Sequence, residues 1–215
     1  MTPATPALHQ AAALLLGYPG PDWPARHTLV RDCLTELATP AAAPLLRFCA
    51  AVDGIPVLDL ASAYVRTFDR SRRRTLHLTY YTDGDTRRRG SALAALKAHY
   101  RAHGWAPPEN ELPDHLPLLL EFAARCPDPG SALLRDHRAA LELLRMALTD
   151  HGSPYADILR AVCDTLPGPS PADRAQALAL ARGGPPTETV GLAPFSANPS
   201  AIPSAAPSAA QGTGR

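Results

Sequence analysis

An acid, an imidazole and two prolines lie together in the segment Glu-Leu-Pro-Asp-His-Leu-Pro at 111–117. We predict that this segment begins a helix and that Asp114 caps it, because an aspartate oxygen can accept hydrogen bonds from the free amides of a first turn. Pro117 fits that turn, since a proline there loses no backbone hydrogen bond. Asp114 would also favour a proton on the neighbouring His115. The corner is therefore either a rigid turn or a charged binding site.

Other chemistry-bearing patterns are weaker. His99 and His103 have the spacing of metal ligands on a helix, yet neither a third ligand nor a catalytic glutamate accompanies them. We interpret them as histidines on a half-exposed helix face and predict no metal site. No serine or cysteine lies in a recognisable nucleophile turn, so we predict no catalytic residues and no enzymatic activity.

Two arginine triplets, at 72–74 and 87–89, form the basic clusters. The second lies in the first turn of a predicted helix, where the helix dipole disfavours cations. We expect carboxylates to compensate, with Asp83 and Asp85 beside the triplet and Asp69 upstream. The alternative is a site for a phosphate-bearing cofactor or nucleotide, because arginine binds phosphate in a bidentate fashion. No P-loop or dinucleotide-binding turn accompanies these arginines.

The turn between these clusters combines aromatic and acidic side chains. Gly84 lies between Asp83 and Asp85 and is predicted to supply a positive φ. Tyr80 and Tyr81 precede it directly. Aromatics and carboxylates presented together are typical of peptide-binding surfaces.

The elements that must position these side chains are helices. Hydrophobic residues recur at helical spacing nearly throughout, without strand alternation. We predict an all-α fold, a single bundle of roughly ten helices over 1–182. On the second helix, Leu29, Cys33, Leu34 and Leu37 are expected to share the buried face. The predicted helices cover about 7–16, 23–38, 41–52, 56–68, 71–81, 86–103, 114–126, 131–150, 154–166 and 171–182.

Composition excludes several classes of protein. A net charge of +1 over 215 residues argues against nucleic-acid binding. No apolar run approaches the ~20 residues that span a bilayer, so we expect no stable membrane insertion and a cytoplasmic location. Four cysteines without a Cys-x-x-Cys motif, with Cys33, Cys49 and Cys163 in apolar helical patterns, predict buried thiols in a reducing compartment.

Composition changes again near the end of the chain. Gly, Pro, Ser, Ala and Thr dominate residues 183–215. Such a segment cannot bury enough apolar surface to offset its ordering entropy, so we predict a disordered tail. Whether the short apolar island at 190–195 docks onto the folded body stays open.

Four segments together resemble a known family. They are Leu-Leu-Gly-Tyr-Pro at 15–19, Tyr-Val-Arg-Thr-Phe at 64–68, Gly-Asp-Thr-Arg at 84–87 and Pro-Asp-His-Leu-Pro at 113–117. In this order and spacing they resemble the assembly chaperones of respiratory nitrate reductase, the NarJ or delta-subunit family. That family belongs to the larger group of chaperones for molybdenum-containing redox enzymes. The resemblance covers roughly residues 9 to 166.

The resemblance implies a dedicated, all-α chaperone without a resident cofactor. It would bind the apo catalytic α subunit of nitrate reductase and its N-terminal signal-like peptide, and assist molybdenum cofactor insertion before membrane docking. We expect helix-in-groove recognition with carboxylates at the rim. A module that binds an unrelated protein is a further alternative. The residues expected to bind the partner are Tyr80, Asp83, Asp85, Thr86, Arg87, Asp114, His115 and Glu121.

Overall fold

Helices account for almost all regular structure in the computed structural model, which describes residues 4–183. The predicted all-α class is confirmed: this range contains eleven α-helices and no β-strand. Of the tail predicted over 183–215, Gly183 ends the last helix, and residues 184–215, with the island at 190–195, lie outside the described residues. The helices are α1 (Thr5–Leu16), α2 (Trp23–Leu37), α3 (Ala43–Val52), α4 (Val57–Tyr64), α5 (Thr79–Asp83), α6 (Arg87–Ala102), α7 (Leu116–Arg125), α8 (Pro127–Asp136), α9 (Arg138–Asp150), α10 (Tyr155–Asp164) and α11 (Arg174–Gly183).

Two of the predicted helices differ from the structure. The helix expected over 131–150 is two helices, α8 and α9, which meet at His137. The backbone bends there, and the His137 ring lies 3.0 Å from the Leu133 carbonyl oxygen. The helix expected over 71–81 is a 3₁₀ turn at Arg72–Arg74, an extended stretch, and then the short α5. That stretch stays extended because it bonds to the backbone of another segment.

Helix α1 lies at the centre of the bundle and packs against α2, α7 and α10. Its residues Leu8, Ala12, Leu15 and Leu16 are buried. Small alanines on α1 let neighbouring helices approach closely, as close-packed interiors require. Buried His9 places its Nε2 2.9 Å from the Thr165 hydroxyl just after α10, which adds a polar contact to this apolar packing.

An aromatic cluster joins α3, α4 and α10. The Phe48 ring lies 4.9 Å from that of Tyr155, and Phe68 is equally close to Tyr155 from the other direction. Tyr64 completes the cluster and donates its hydroxyl hydrogen to the Leu16 carbonyl oxygen at 3.0 Å. After Tyr64 the helix continues as one π-helical turn, Val65–Asp69. The cluster therefore anchors this turn to the core.

The buried face of α2 is not the predicted one. Trp23, His27, Val30 and Leu34 are buried, whereas Leu29 is 60% exposed. The buried face of α2 is therefore the one that carries Trp23 and Val30, and the predicted face with Leu29 and Cys33 is turned towards solvent. Cys33 is consequently exposed, which corrects its predicted burial.

The remaining cysteines follow the expectation more closely, since Cys49 and Cys163 are buried and Cys126 is partly buried. No single helix within 4–183 is long and apolar enough to cross a bilayer. One pair, Pro40–Val52 and Val57–Asp69, passes on length and composition only when its two members are combined, and it is bent by 118°.

Candidate functional site

A short backbone bridge brings two of the sequence segments together. The Leu78 amide donates to the Asp114 carbonyl oxygen at 3.0 Å, and the Leu116 amide donates to that of Leu76 at 2.8 Å. His77 and His115 thus lie opposite each other in an isolated antiparallel bridge. The Pro-Asp-His-Leu-Pro corner is therefore fixed against the segment that leads into α5.

Asp114 lies at the centre of this junction, with its side chain fully buried. A carboxylate can only accept, so His77 Nδ1 donates to Oδ1 at 3.0 Å, and the Thr79 hydroxyl donates to Oδ2 at 2.5 Å. Arg89 Nη2 lies 3.4 Å from the same Oδ2, and Arg89 Nε donates to the Thr79 hydroxyl at 3.2 Å. One buried charge therefore ties α5, α6 and the corner together.

The predicted capping role of Asp114 is wrong. Helix α7 begins at Leu116, and its N-cap position is His115, which makes no side-chain capping bond. The Asp114 carboxylate is instead occupied by donors from distant segments. This arrangement also determines its acidity. Burial alone would raise the pKa of the Asp114 carboxyl, but hydrogen bonds from His77 and Thr79 and the positive charge of Arg89 lower it below its usual value.

The charge of Asp114 favours a proton on His115, as predicted, but His115 makes no hydrogen bond to that carboxylate in the described part of the chain. Its Nδ1 donates to Glu111 Oε2 at 3.1 Å instead. Burial lowers the pKa of His115 below its usual value, although the neighbouring Glu111 opposes that effect. Its ring centroid lies 5.3 Å from that of His77.

The far end of α6 holds the corner as well. The Tyr100 hydroxyl donates to the Pro113 carbonyl oxygen at 2.7 Å. Its ring is fully buried against Trp105 and Phe122, with centroid distances of 5.0 and 4.8 Å. Burial raises the pKa of Tyr100 above its usual value, so the hydroxyl remains a donor. Arg89 and Tyr100, near the two ends of α6, thus fix the same corner.

An apolar groove lies beside the Asp114 network. We call it the α5–α6 groove. It has a volume of about 300 Å³, a floor that includes Ala92 and Leu96, and the Asp83 carboxylate among its lining groups. His99 also lines it, and its Nε2 is buried without a hydrogen-bond partner in the described part of the chain. Thr79 belongs both to this groove and to the Asp114 network. The complete lining is Thr79, Thr82, Asp83, Ala92, Ala95, Leu96, His99, Leu133 and His137.

A second groove of about 310 Å³, the arginine groove, contains members of both arginine triplets. Arg72 and Arg89 line it together with His77, Tyr80 and the carboxylate of Asp69. Arg89 is already held by Asp114 and Thr79. Of the two arginines in this groove, only Arg72 is left without an ion pair or hydrogen bond among residues 4–183.

The expected ion pairs around the second triplet are wrong. Arg89 pairs with Asp114, and within residues 4–183 none of Asp69, Asp83 and Asp85 forms an ion pair. The Asp83 backbone is instead bonded by the Thr86 hydroxyl at 2.8 Å. This bond closes the turn before α6, where Gly84 has the predicted positive φ of 59°.

The structure separates the predicted site residues into groups. Asp83 lines the α5–α6 groove, Tyr80 lines the arginine groove, and Asp114 is buried between the segments that form them. The other predicted residues lie outside both grooves: Asp85 and Thr86 are exposed at the turn before α6, Arg87 is the exposed first residue of α6, His115 pairs with Glu111, and Glu121 pairs with Arg125 at 2.8 Å.

Sequence reasoning missed the three donors to Asp114, which are His77, Thr79 and Arg89. One signal was available: Leu76-His77-Leu78-Thr79 alternates apolar and polar residues, the pattern of an extended segment. For metal binding, the part of the chain from 4 to 183 contains no group of three or more His, Cys, Asp or Glu placed to hold an ion. The rings of His99 and His103 lie with their centroids 4.6 Å apart and are tilted by 46° to each other.

Comparison with known structures defines the class of fold. The chain is similar to a solved structure from Archaeoglobus fulgidus assigned to the redox enzyme maturation proteins, with a TM-score of 0.58 and 20% sequence identity. That match covers 77% of this chain and 95% of the other. The two proteins therefore share a fold.

Sequence comparison gives the family. The family model described as nitrate reductase delta subunit matches residues 32–161, so the chain belongs to this family. It is 31% identical over 158 residues to NarJ of Bacillus subtilis, named a probable nitrate reductase molybdenum cofactor assembly chaperone, and covers 86% of that protein. It is 41% identical over 157 residues to the nitrate reductase-like protein NarX of Mycobacterium tuberculosis, of which it spans only 24%.

Proposed function

We propose that this chain binds the apo catalytic α subunit of nitrate reductase through that subunit's N-terminal signal-like segment. Binding would hold the subunit competent for molybdenum cofactor insertion and delay membrane docking until then, a step we place in the cytoplasm. Membership of the delta-subunit family and the assembly role named for its Bacillus subtilis relative support the proposal. The role requires binding without catalysis.

The observation that carries the proposal is the α5–α6 groove. Its apolar floor suits one face of a helical peptide, because side chains three or four residues apart lie on the same side of a helix. Asp83 carries a carboxylate without an ion-pair partner among residues 4–183, which leaves it available to a basic residue of the peptide.

The buried network supports this groove without contacting the peptide. Thr79 lies in the groove wall and donates to Asp114, while Arg89 on α6 bonds to both. Both helices beside the groove are therefore held by one buried charge. A groove held rigid before binding loses less conformational entropy when it is filled. In this proposal Asp114 positions the groove and Asp83 contacts the partner.

The test is a titration of the protein with a synthetic N-terminal peptide of the α subunit. We expect a dissociation constant in the micromolar range, about 8 kcal/mol of binding free energy at 1 μM. Ala92→Phe fills the groove floor and should abolish binding. Ala94→Phe, on the exposed side of the same helix, is the matched control and should bind like the wild type.

A parallel titration with pyrophosphate, followed by tryptophan fluorescence, tests the alternative of a phosphate-bearing ligand. The proposal predicts that pyrophosphate neither binds tightly nor competes with the peptide, because Arg89 is occupied and Arg74 Nε donates to the Thr67 carbonyl oxygen at 2.9 Å. Pyrophosphate binding that Arg72→Ala removes, together with no peptide binding, would favour the arginine groove instead.

A further inference from the structure

A third concave surface shares no lining residue with the α5–α6 groove or with the arginine groove. It is a concave patch of about 350 Å³, formed by the loop between α1 and α2, by α4 and by the π-helical turn that follows. We call it the α4 groove, and its lining includes Tyr18, Leu58, Val65, Arg66 and Arg70.

The apolar end of the α4 groove is unusually open. Leu58 is 77% exposed and Tyr18 is 53% exposed. The Tyr18 ring nevertheless has a fixed position, because it packs edge-on against the buried Tyr64 with centroids 5.4 Å apart. An open apolar surface on a rigid support is typical of an interaction site.

The other end of the α4 groove carries two exposed arginines. Within residues 4–183 the guanidinium groups of Arg66 and Arg70 form no ion pair and no hydrogen bond. The carboxylates nearest to them in sequence, Asp59 and Asp69, form no ion pair within residues 4–183, and Asp69 lines the arginine groove. The surface therefore offers uncompensated positive charge beside exposed apolar area.

These side chains follow a regular spacing. Leu58, Ser62 and Arg66 recur every fourth residue along α4 and its π-helical continuation, so they form one row, and Arg70 follows directly after that turn. At the rise of an α-helix, Leu58 and Arg66 are roughly 12 Å apart, about two turns. π-helical turns also occur frequently at functional sites.

We infer that the α4 groove binds an acidic amphipathic helix of a partner protein. Its apolar side chains would contact Leu58 and Tyr18, and carboxylates about two turns further along would pair with Arg66 and Arg70. The concave shape favours a peptide, since a flat bilayer surface cannot fill it. This surface is separate from the groove proposed for the signal-like peptide, so the two could be occupied together.

The probe is a pair of designed helical peptides of roughly 18 residues, about 27 Å long. Each carries two leucines one turn apart and two glutamates two turns further on the same face, in the two possible chain directions. A third peptide replaces the glutamates with lysines. Binding is measured by fluorescence anisotropy, and circular dichroism checks that every variant is folded.

We expect one glutamate peptide to bind, and the double variant Arg66→Glu/Arg70→Glu to weaken it at least about tenfold. The same variant should bind the lysine peptide better than the wild type does. The control Arg101→Glu/Arg135→Glu, at two other exposed arginines, should bind the glutamate peptide normally. Leu58→Ser should weaken binding, whereas Leu29→Ser, at another exposed leucine, should not.

Three results would overturn the inference. Neither glutamate peptide binds; or the charge-reversed variant binds it as tightly as the wild type; or the protein binds phosphatidylserine vesicles through Arg66 and Arg70 and ignores the peptides. The last result would make the patch a membrane-contact surface. None of the three bears on the α5–α6 groove, because Ala92→Phe reports on that site independently.

Discussion

At the scale of single residues, one buried carboxylate organises the junction. A buried charge is costly unless partners compensate it, and Asp114 has donors from His77, Thr79 and Arg89. These donors come from different parts of the chain, and their positions relative to one another depend on the one carboxylate that they share.

Replacing Asp114 with asparagine should therefore destabilise the protein. The asparagine side chain keeps one accepting oxygen, but its NH₂ group then faces a neighbour that donates a hydrogen bond in the wild type. The positive charge of Arg89 also loses the carboxylate that compensates it. We expect a loss of about 2–3 kcal/mol in the free energy of unfolding. Urea denaturation measures it, with Asp85→Asn at the exposed turn as the control. A loss below about 0.5 kcal/mol, which is usual for surface substitutions, would contradict the assigned role.

His9 should make stability depend on pH. Burial lowers the pKa of His9 from 6.5 to about 4, with the backbone of Ala123 partly opposing the shift. Between these values the unfolded chain binds the proton more readily, so stability falls as the pH decreases from 6.5 to 4. The shift of about 2.5 pKa units corresponds to about 3 kcal/mol.

His9→Gln removes this titrating group, so the variant should lose less stability than the wild type between pH 7 and pH 4.5. His115, whose pKa is also lowered, titrates in both proteins and cancels in the comparison. Denaturant melts at the two pH values give the difference. Equal losses in the two proteins would show that His9 is not the source.

At the scale of elements, the crossing of α7 and α8 depends on one glycine. A Cβ atom built on Gly130 would lie 2.3 Å from Ala123 Cα, too close for any real contact. The sharp connection at Cys126 brings these two helices together directly after α7 ends. Because a backbone atom is the obstacle, a side chain at Gly130 would force the helices apart.

Gly130→Ala should therefore destabilise the protein by about 1–3 kcal/mol, although alanine favours helix more than glycine does. Gly90 in α6 is the matched control, because a Cβ there meets nothing within 4 Å. Gly90→Ala should stabilise by about 0.5–1 kcal/mol. Thermal and urea melts of both variants test the pair, and a stabilising Gly130→Ala would refute the close crossing.

At the scale of the whole molecule, the helical body over 4–183 contains every feature proposed to act in binding. The composition of residues 184–215 predicts that they add little to its stability. Deleting them should leave the melting temperature nearly unchanged. A decrease of more than about 4 °C, on the order of 1 kcal/mol for this size, would mean that the island at 190–195 docks onto the body.

The helical class was predictable from the sequence, because apolar residues at helical spacing report which segments can bury a face. The bend at His137 was not predictable, since the apolar pattern continues through it. The role of Asp114 was also missed. Its partners lie 25 to 37 residues away in sequence, and His77 and Thr79 come near it through the backbone bridge of Leu76 and Leu78 with Asp114 and Leu116. Local patterns carry no information on such long-range pairing.

The most direct test of the account is to map where the nitrate reductase peptide binds. Backbone amide chemical shifts of the ¹⁵N-labelled protein are recorded during titration with the α-subunit N-terminal peptide. The account predicts that the largest changes occur in α5, along Ala92 to His99 of α6, and from Leu133 to His137, and that Ala92→Phe abolishes them. Changes centred on Tyr18 and Leu58 or on Arg72, or no changes at all, would contradict it.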